Sequence, residues 1–230
     1  MSGLDTAAET RLDVRIGIAT GLVVVGDLIG KGASQEQAVV GETPNLAALL
    51  QALDASPSPI ALRAAQVIAV TGAAGAYGGY LVQIAKAEGL TVIADASEKD
   101  EKLVASLGPD IVVRRGDDVA SRIRRHFPQG VDGLADGAVL NELVIPAVRD
   151  GGAFTSVRGF QGIPQRDINF TTTFVRSYAQ EFEKLDRLRQ QVDAGKITLR
   201  VAEVYPPERA ADAHRRLEAG GTRGRLVIQF

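Results

Sequence analysis

Glycine stands at positions 72, 75, 78 and 79 within Val67–Gly79, which reads VIAVTGAAGAYGG. Four apolar residues, Val67 to Val70, lead into the run, and Leu81, Ile84 and Ala85 follow at helical spacing. The pattern predicts a strand, a tight turn and a helix. Such a turn brings backbone N–H groups at a helix N-terminus against a diphosphate. Glycine is needed because a Cβ blocks that approach or forbids the dihedrals. A second predicted strand, Thr91–Asp95, ends in an acid. It lies about 20 residues beyond the turn, where a ribose-binding carboxylate is expected. These residues predict a dinucleotide site; the alternative is a structural turn without a ligand.

Other chemistries find little support. The 230 residues contain no cysteine, which removes disulfides, thiolate nucleophiles and thiolate zinc sites. The two histidines, His126 and His214, fall on predicted helix surfaces without a metal-ligand partner in sequence. No metal site, no Ser-His-Asp arrangement and no catalytic residue is assigned from them. The net charge of −2 gives no basic surface for nucleic acid. No apolar run reaches the roughly 20 residues of a membrane span. The N-terminus lacks the cationic lead and apolar core of a signal peptide, so a cytoplasmic chain is expected.

The elements that must position the glycine turn follow from residue 60 onward. Predicted strands at Val67–Thr71, Thr91–Asp95, Ile111–Val113, Val131–Asp136 and Gly152–Val157 alternate with predicted helices. The helices are Gly78–Glu88, Lys99–Leu107, Val119–His126 and Asn141–Val148, the last short or kinked at Pro146. Glu181–Val192 and Glu208–Glu218 read as further helices, and Thr198–Val204 and Arg225–Phe230 as further strands. Strand–helix repetition with short apolar strands predicts an α/β fold, a doubly wound parallel sheet covered on both faces.

With those residues in view, the chain resembles the cofactor-binding (Rossmann) half of the medium-chain dehydrogenase/reductase superfamily, in its quinone-oxidoreductase-like, zinc-independent branch. The matching stretches are VTGAAGAYGGYLVQIAKAEG (70–89), SLGPDIVV (106–113), GGAFTSVRG (151–159) and the segment 194–230. The resemblance implies NAD or NADP as cofactor, with the turn residues Gly72, Ala73, Ala74, Gly75, Ala76, Tyr77 and Gly78 around the pyrophosphate. Ala73 stands where many relatives have the first glycine. Gly75 would let the chain approach the pyrophosphate, and Gly78 would let the helix pack on the sheet. Tyr77 replaces a small aliphatic, and its ring either crowds the pyrophosphate or faces the core. Asp95 implies a ribose contact that disfavours a 2′-phosphate; Ser97 and Lys99 lie where relatives preferring NADPH hold that phosphate. The resemblance also sets Gly152, Ser156, Val157 and Arg158 on the nicotinamide side. Such relatives carry a barrel domain before the Rossmann part, and the strands near 198–204 and 225–230 belong to it. Here they either pair with each other or leave an edge that drives a homodimer.

The N-terminal stretch carries a second resemblance. RIGIATGLVVVGDLIG (15–30) and VVGETPNLAALLQAL (39–53) are similar to the later half of a class III adenylate/guanylate cyclase domain. Val14–Ala19 and Leu22–Val25 read as paired strands around Thr20-Gly21, and Thr43-Pro44 as the start of a helix. The family's metal-binding aspartates lie upstream of this segment and are absent. Its nucleotide-contacting arginine maps onto Leu49, while Asn45 is kept. No cyclase activity is expected. The organisation expected is a disordered 1–10, a cyclase-like α+β fragment over 11–54, a linker over 55–59 (ASPSP) and a Rossmann domain over 60–230.

Three functions follow. The first is an NAD(P)H-dependent oxidoreductase moving hydride between nicotinamide and a quinone or carbonyl small-molecule substrate. The second is a nucleotide-binding module without catalysis. The third is a cyclase-like interaction piece.

Overall fold

The computed structural model describes residues 65–229 apart from 159, 161 and 173–181, together with the strand segments of the first 64 residues. Those segments are β1 (Asp5–Thr6), β2 (Thr10–Arg11), β3 (Val14–Arg15), β4 (Val23–Asp27) and β5 (Gln37–Gly41). β1 pairs with β2, so the stretch expected to be disordered holds a short antiparallel ladder. β3, β4 and β5 form an antiparallel sheet. Val14 faces Gly26 and Arg15 faces Val25, a pairing of the kind expected around Thr20-Gly21. The helix expected from Thr43 and the linker at 55–59 lie outside the described residues.

The main sheet has six parallel strands: β6 (Val67–Thr71), β7 (Thr91–Ala96), β8 (Ile111–Arg114), β9 (Val131–Asp136), β10 (Val148–Ser156) and β11 (Asn169–Thr172). Their spatial order is β11-β10-β9-β6-β7-β8. The chain builds outward from β6 in one direction, then returns to its other side at β9. The order reverses between β6 and β9, and that reversal creates the crevice in which doubly wound sheets bind ligands.

Alternation along each strand decides which layer a residue joins. Ile68, Val70, Val92 and Ala94 pack on one face with Tyr80, Leu81 and Ile84 of α1 (Ala76–Ala87), Val104 of α2 (Glu101–Ser106) and Leu188 of α4 (Phe182–Asp193). Ala69, Ile93, Leu134 and Phe154 face the other way, against Val119, Ala120 and Ile123 of α3 (Val119–His126). Both faces are therefore buried, which accounts for the near-continuous apolar runs of the central strands, such as VIAV in β6 and VIA in β7.

Three elements differ from expectation. The helix expected over Asn141–Val148 is two 3-10 turns, Asn141–Leu143 and Ile145–Ala147. Asn141 has φ +53° and Pro146 lacks a donor, so no α-helical ladder can run through the segment. β10 then begins at Val148, earlier than expected, with a register shift between Val148 and Ala153. β11 was not anticipated, because NFTT carries only a weak strand pattern. The late strands are β12 (Val201–Tyr205) and β13 (Arg225–Ile228), flanking α5 (Ala210–Glu218), and they pair in parallel with each other.

Candidate functional site

The glycine turn connects β6 to α1 at the crevice. Gly72 has φ +69°, and a Cβ there would lie 2.7 Å from the carbonyl carbon of Gly137. A Cβ on Gly137 would in turn lie 2.8 Å from the Thr71 carbonyl oxygen. The loops after β6 and β9 thus meet backbone to backbone. Gly75 precedes the first helical residue and has an extended conformation. Among the described residues no side chain caps α1, and its first turn holds no acidic residue. The N-terminal N–H groups of α1 keep their partial positive charge, an arrangement that suits a phosphate. A Cβ at Gly75 would meet only the Gly72 oxygen, at 3.1 Å, whereas one at Gly78 would sit 2.5 Å from it. Packing therefore demands glycine at 78 far more strictly than at 75. The Tyr77 ring borders the core and lies against Gly137, so it walls the turn on the β9 side.

The carboxyl ends of β6 and β9 are tied together by polar groups. The Thr71 hydroxyl donates to Asp136 Oδ1 at 2.6 Å, and the Asn141 N–H donates to Oδ2 at 2.7 Å. The Ala138 N–H donates to the Thr71 hydroxyl at 3.3 Å. Asp136 is wholly buried, so these bonds offset its desolvation. Ser156 stands opposite Asp136 in register. Among the described residues its buried hydroxyl has no hydrogen-bond partner, and neither has the side-chain oxygen of Asn141. Orphaned buried polar atoms at a crevice mark groups that a ligand could satisfy. Val157 and Arg158 follow in a turn, with Arg158 exposed.

A residue that the pattern did not single out sits on the glycine turn. Arg200 precedes β12 and donates to the carbonyls of Ala74 at 3.2 Å and Gly75 at 2.7 Å. Burial pushes its basicity below that of a free guanidinium. Gly79 makes room for it: a Cβ there would come within 2.3 Å of Arg200 Nη2.

Asp95 ends β7 next to the turn, and its side chain is only 1% exposed. Its Oδ1 accepts from the Ala73 N–H at 3.3 Å. Arg115, which follows β8, grips both oxygens, with Nε 2.7 Å from Oδ2 and Nη2 3.1 Å from Oδ1. That pairing raises the Arg115 pKa further. The carboxylate is turned to an arginine rather than to the groove. Ser97 does not cap the following helix with its side chain; its hydroxyl donates to Asp100 Oδ2 at 2.6 Å. Arg223 closes on Asp100 from the C-terminal segment, at 2.7 and 2.8 Å. Chiefly through that bond, the Asp100 carboxyl is lowered to about 2. Lys99 is exposed. Nothing in the sequence pattern tied Arg115, Arg200 or Arg223 to this site.

The described residues include no group of three or more His, Cys, Asp or Glu side chains that could hold a metal ion. His126 and His214 are both exposed, on α3 and α5. No helix among the described residues is long and apolar enough to cross a membrane.

Comparison with known proteins places the chain beside dehydrogenases. The zinc-binding dehydrogenase family matches residues 107–228. The zinc-type alcohol dehydrogenase-like protein of Staphylococcus epidermidis is 26% identical over 178 residues, covering 68% of this chain and 53% of that protein. The chain therefore spans about half the length of this curated relative. The crystal structure of an NAD-dependent alcohol dehydrogenase is 27% identical, with a TM-score of 0.69 over 82% of this chain and 57% of that one. A mycobacterial protein complexed with NADPH, 19% identical, shares the fold with a TM-score of 0.70 over 94% of this chain and 83% of that one.

Proposed function

Because this chain belongs to the zinc-binding dehydrogenase family, we propose that it is an NAD(P)H-dependent oxidoreductase, moving hydride between nicotinamide and a quinone or carbonyl compound. One observation carries the reading: an uncapped helix N-terminus behind a glycine turn opens onto the reversal point of a doubly wound sheet. The dinucleotide supplies the hydride chemistry when bound. The chain supplies position. The N-terminal N–H groups of α1 hold the diphosphate, with Arg200 adding positive charge behind the turn. Ser156 and Asn141 offer buried polar atoms at the nicotinamide end. Thr71 and Asp136 lock the two crevice loops at one spacing. Among the described residues no cluster of His, Cys, Asp or Glu side chains could hold a zinc ion. We keep residues 11–54 as a separate, cyclase-like unit before the nucleotide-binding unit at 60–230.

A binding module without turnover is the second reading. It is favoured by Asp136, the acid at the nicotinamide end, which is wholly buried with both oxygens engaged and so is not presented to a substrate. The two separate in one experiment. NADH and NADPH are titrated against the protein while nicotinamide fluorescence is followed, and a quinone is then added. Binding followed by oxidation supports the enzyme. Binding without oxidation, across quinones and carbonyl compounds, leaves the module. No binding of either overturns both.

A further inference from the structure

The choice between NAD(H) and NADP(H) turns on the groups beside the end of β7. An NAD-type site needs a carboxylate free to accept from the ribose hydroxyls. Asp95 cannot fill that role here. Its oxygens accept three hydrogen bonds, from Ala73 and from the Arg115 fork, and with a side chain only 1% exposed the remaining lone pair is out of reach of a ribose hydroxyl.

What faces outward instead is cationic. Arg115 is one-third exposed, and its Nη1 has no partner among the described residues. Arg223 is similarly exposed; its Nε and Nη2 hold Asp100, and its Nη1 donates to the Thr222 carbonyl at 3.3 Å. Arg223 lies within electrostatic reach of both Arg115 and Arg200. Asp95 and Asp100 each neutralise one arginine. Arg200, seated on carbonyls, and exposed Lys99 have no carboxylate partner among the described residues. Glu98, the other acid nearby, is turned to Arg114 at 3.4 Å. Four cations and two carboxylates leave the region with a net positive charge, matched to a phosphate monoester carrying close to two negative charges. A bidentate arginine held by a buried carboxylate is also pre-oriented, so little entropy is lost when its outer N–H groups meet an anion.

We propose that Arg115 and Arg223 form the 2′-phosphate site of this chain, which therefore selects NADP(H) over NAD(H). The proposal rests on the dinucleotide reading above. It makes Asp95 a positioning residue, which aims Arg115, rather than a ribose contact. It also makes the C-terminal segment part of the cofactor site, since Arg223 comes from the turn before β13.

The test is calorimetric binding of NADP+ and NAD+, with thermal melting of every variant. The wild-type protein is expected to bind NADP+ about tenfold or more tightly than NAD+, the worth of one good charge-assisted contact. Arg223→Ala and Arg115→Ala should each lose most of that preference with little change for NAD+. Arg115→Ala strips the partner from a buried acid, so Asp95→Asn/Arg115→Gln, which keeps a neutral hydrogen-bonded pair, serves as the second variant. Arg115→Lys should retain part of the preference. Equal or tighter NAD+ binding by the wild-type protein overturns the proposal and leaves the dinucleotide reading standing. Unchanged discrimination in folded variants also overturns it. Binding of neither nucleotide overturns both.

Discussion

Arg200 Nη2 lies 2.7 Å from the carbonyl oxygen of Gly75, a contact across 125 residues of chain. It seats a guanidinium on the outside of the glycine turn, at the end of α1 that already carries the positive pole of the helix. A cation there opposes the helix dipole but favours any anion the turn accepts. Its position is held by further contacts: the Arg200 N–H donates to the Tyr80 hydroxyl at 3.4 Å, and its carbonyl accepts from Arg225 at 2.8 Å.

Removing that charge should weaken binding of diphosphate compounds by about 1–2 kcal/mol, the scale of one unscreened charge near a protein surface. Arg200→Ala is expected to raise the Kd for ADP and leave that for adenosine unchanged. Gly79→Ala should act through the same group, because its Cβ displaces the end of Arg200. The double variant should then cost little more than either single one. Calorimetry on the four proteins checks this, and additive losses would separate the two residues.

Gly75 and Gly78 should respond in opposite ways. Gly75 has φ −72°, and a Cβ there asks the Gly72 oxygen at 3.1 Å to give by only a few tenths of an ångström, so Gly75→Ala is expected to cost much less stability than Gly78→Ala. Gly75→Val should abolish dinucleotide affinity, because its branches stand where the diphosphate approaches. Gly78→Ala drives a Cβ into the Gly72 backbone and should cost roughly 1–3 kcal/mol of stability. Melting curves and NADH titration together discriminate the two. Unchanged affinity in Gly75→Val would mean that the diphosphate is held elsewhere.

Thr71→Val keeps the shape of the end of β6 and removes the 2.6 Å bond to Asp136. The carboxylate stays buried with one oxygen unsatisfied, at a cost of roughly 1–3 kcal/mol. Urea unfolding should show a lower midpoint with an unchanged slope. An unchanged midpoint would mean that the Ala138 N–H or water replaces the hydroxyl.

Acid should destabilise the fold through Asp100. Its carboxyl is held at about 2, below the ordinary 3.8, chiefly by Arg223. The folded pKa is depressed, so this contribution is present above about pH 4. It is lost as pH falls through about 2, and amounts to on the order of 2 kcal/mol. Asp100→Asn should flatten stability between those pH values while lowering it at neutral pH. Identical acid limbs in the two proteins would assign the pH dependence to other carboxylates.

Much of the architecture was legible in the residues. Val67–Thr71 and Thr91–Asp95 read as buried strands because parallel strands covered on both faces are apolar over most of their length. The glycine turn was legible because Gly72 and Gly78 answer to backbone geometry, a local demand that only one residue type meets. The family resemblance named from 70–89 and 106–113 agrees with the family that matches 107–228. The helix expected after Asn141 failed on a local conflict: helical spacing of apolar residues cannot restore the donor that Pro146 lacks.

The sequence by itself determined the layers, the order of strand and helix, and the place of the phosphate turn, since each follows from periodicity or from glycine within a few neighbouring residues. Only the tertiary structure decided what each polar side chain meets. Asp95 was legible as an acid at a strand end, but its partner was set by the register of β7 on β8, which puts Arg115 beside it. Thr71 met Asp136 because β9 returns to the far side of β6. Arg200 reached the glycine turn, and Arg223 reached Asp100, through a C-terminal segment whose strands close on each other. Pattern reports which way a side chain faces; the partner across the gap depends on chain reversals that no local signal encodes.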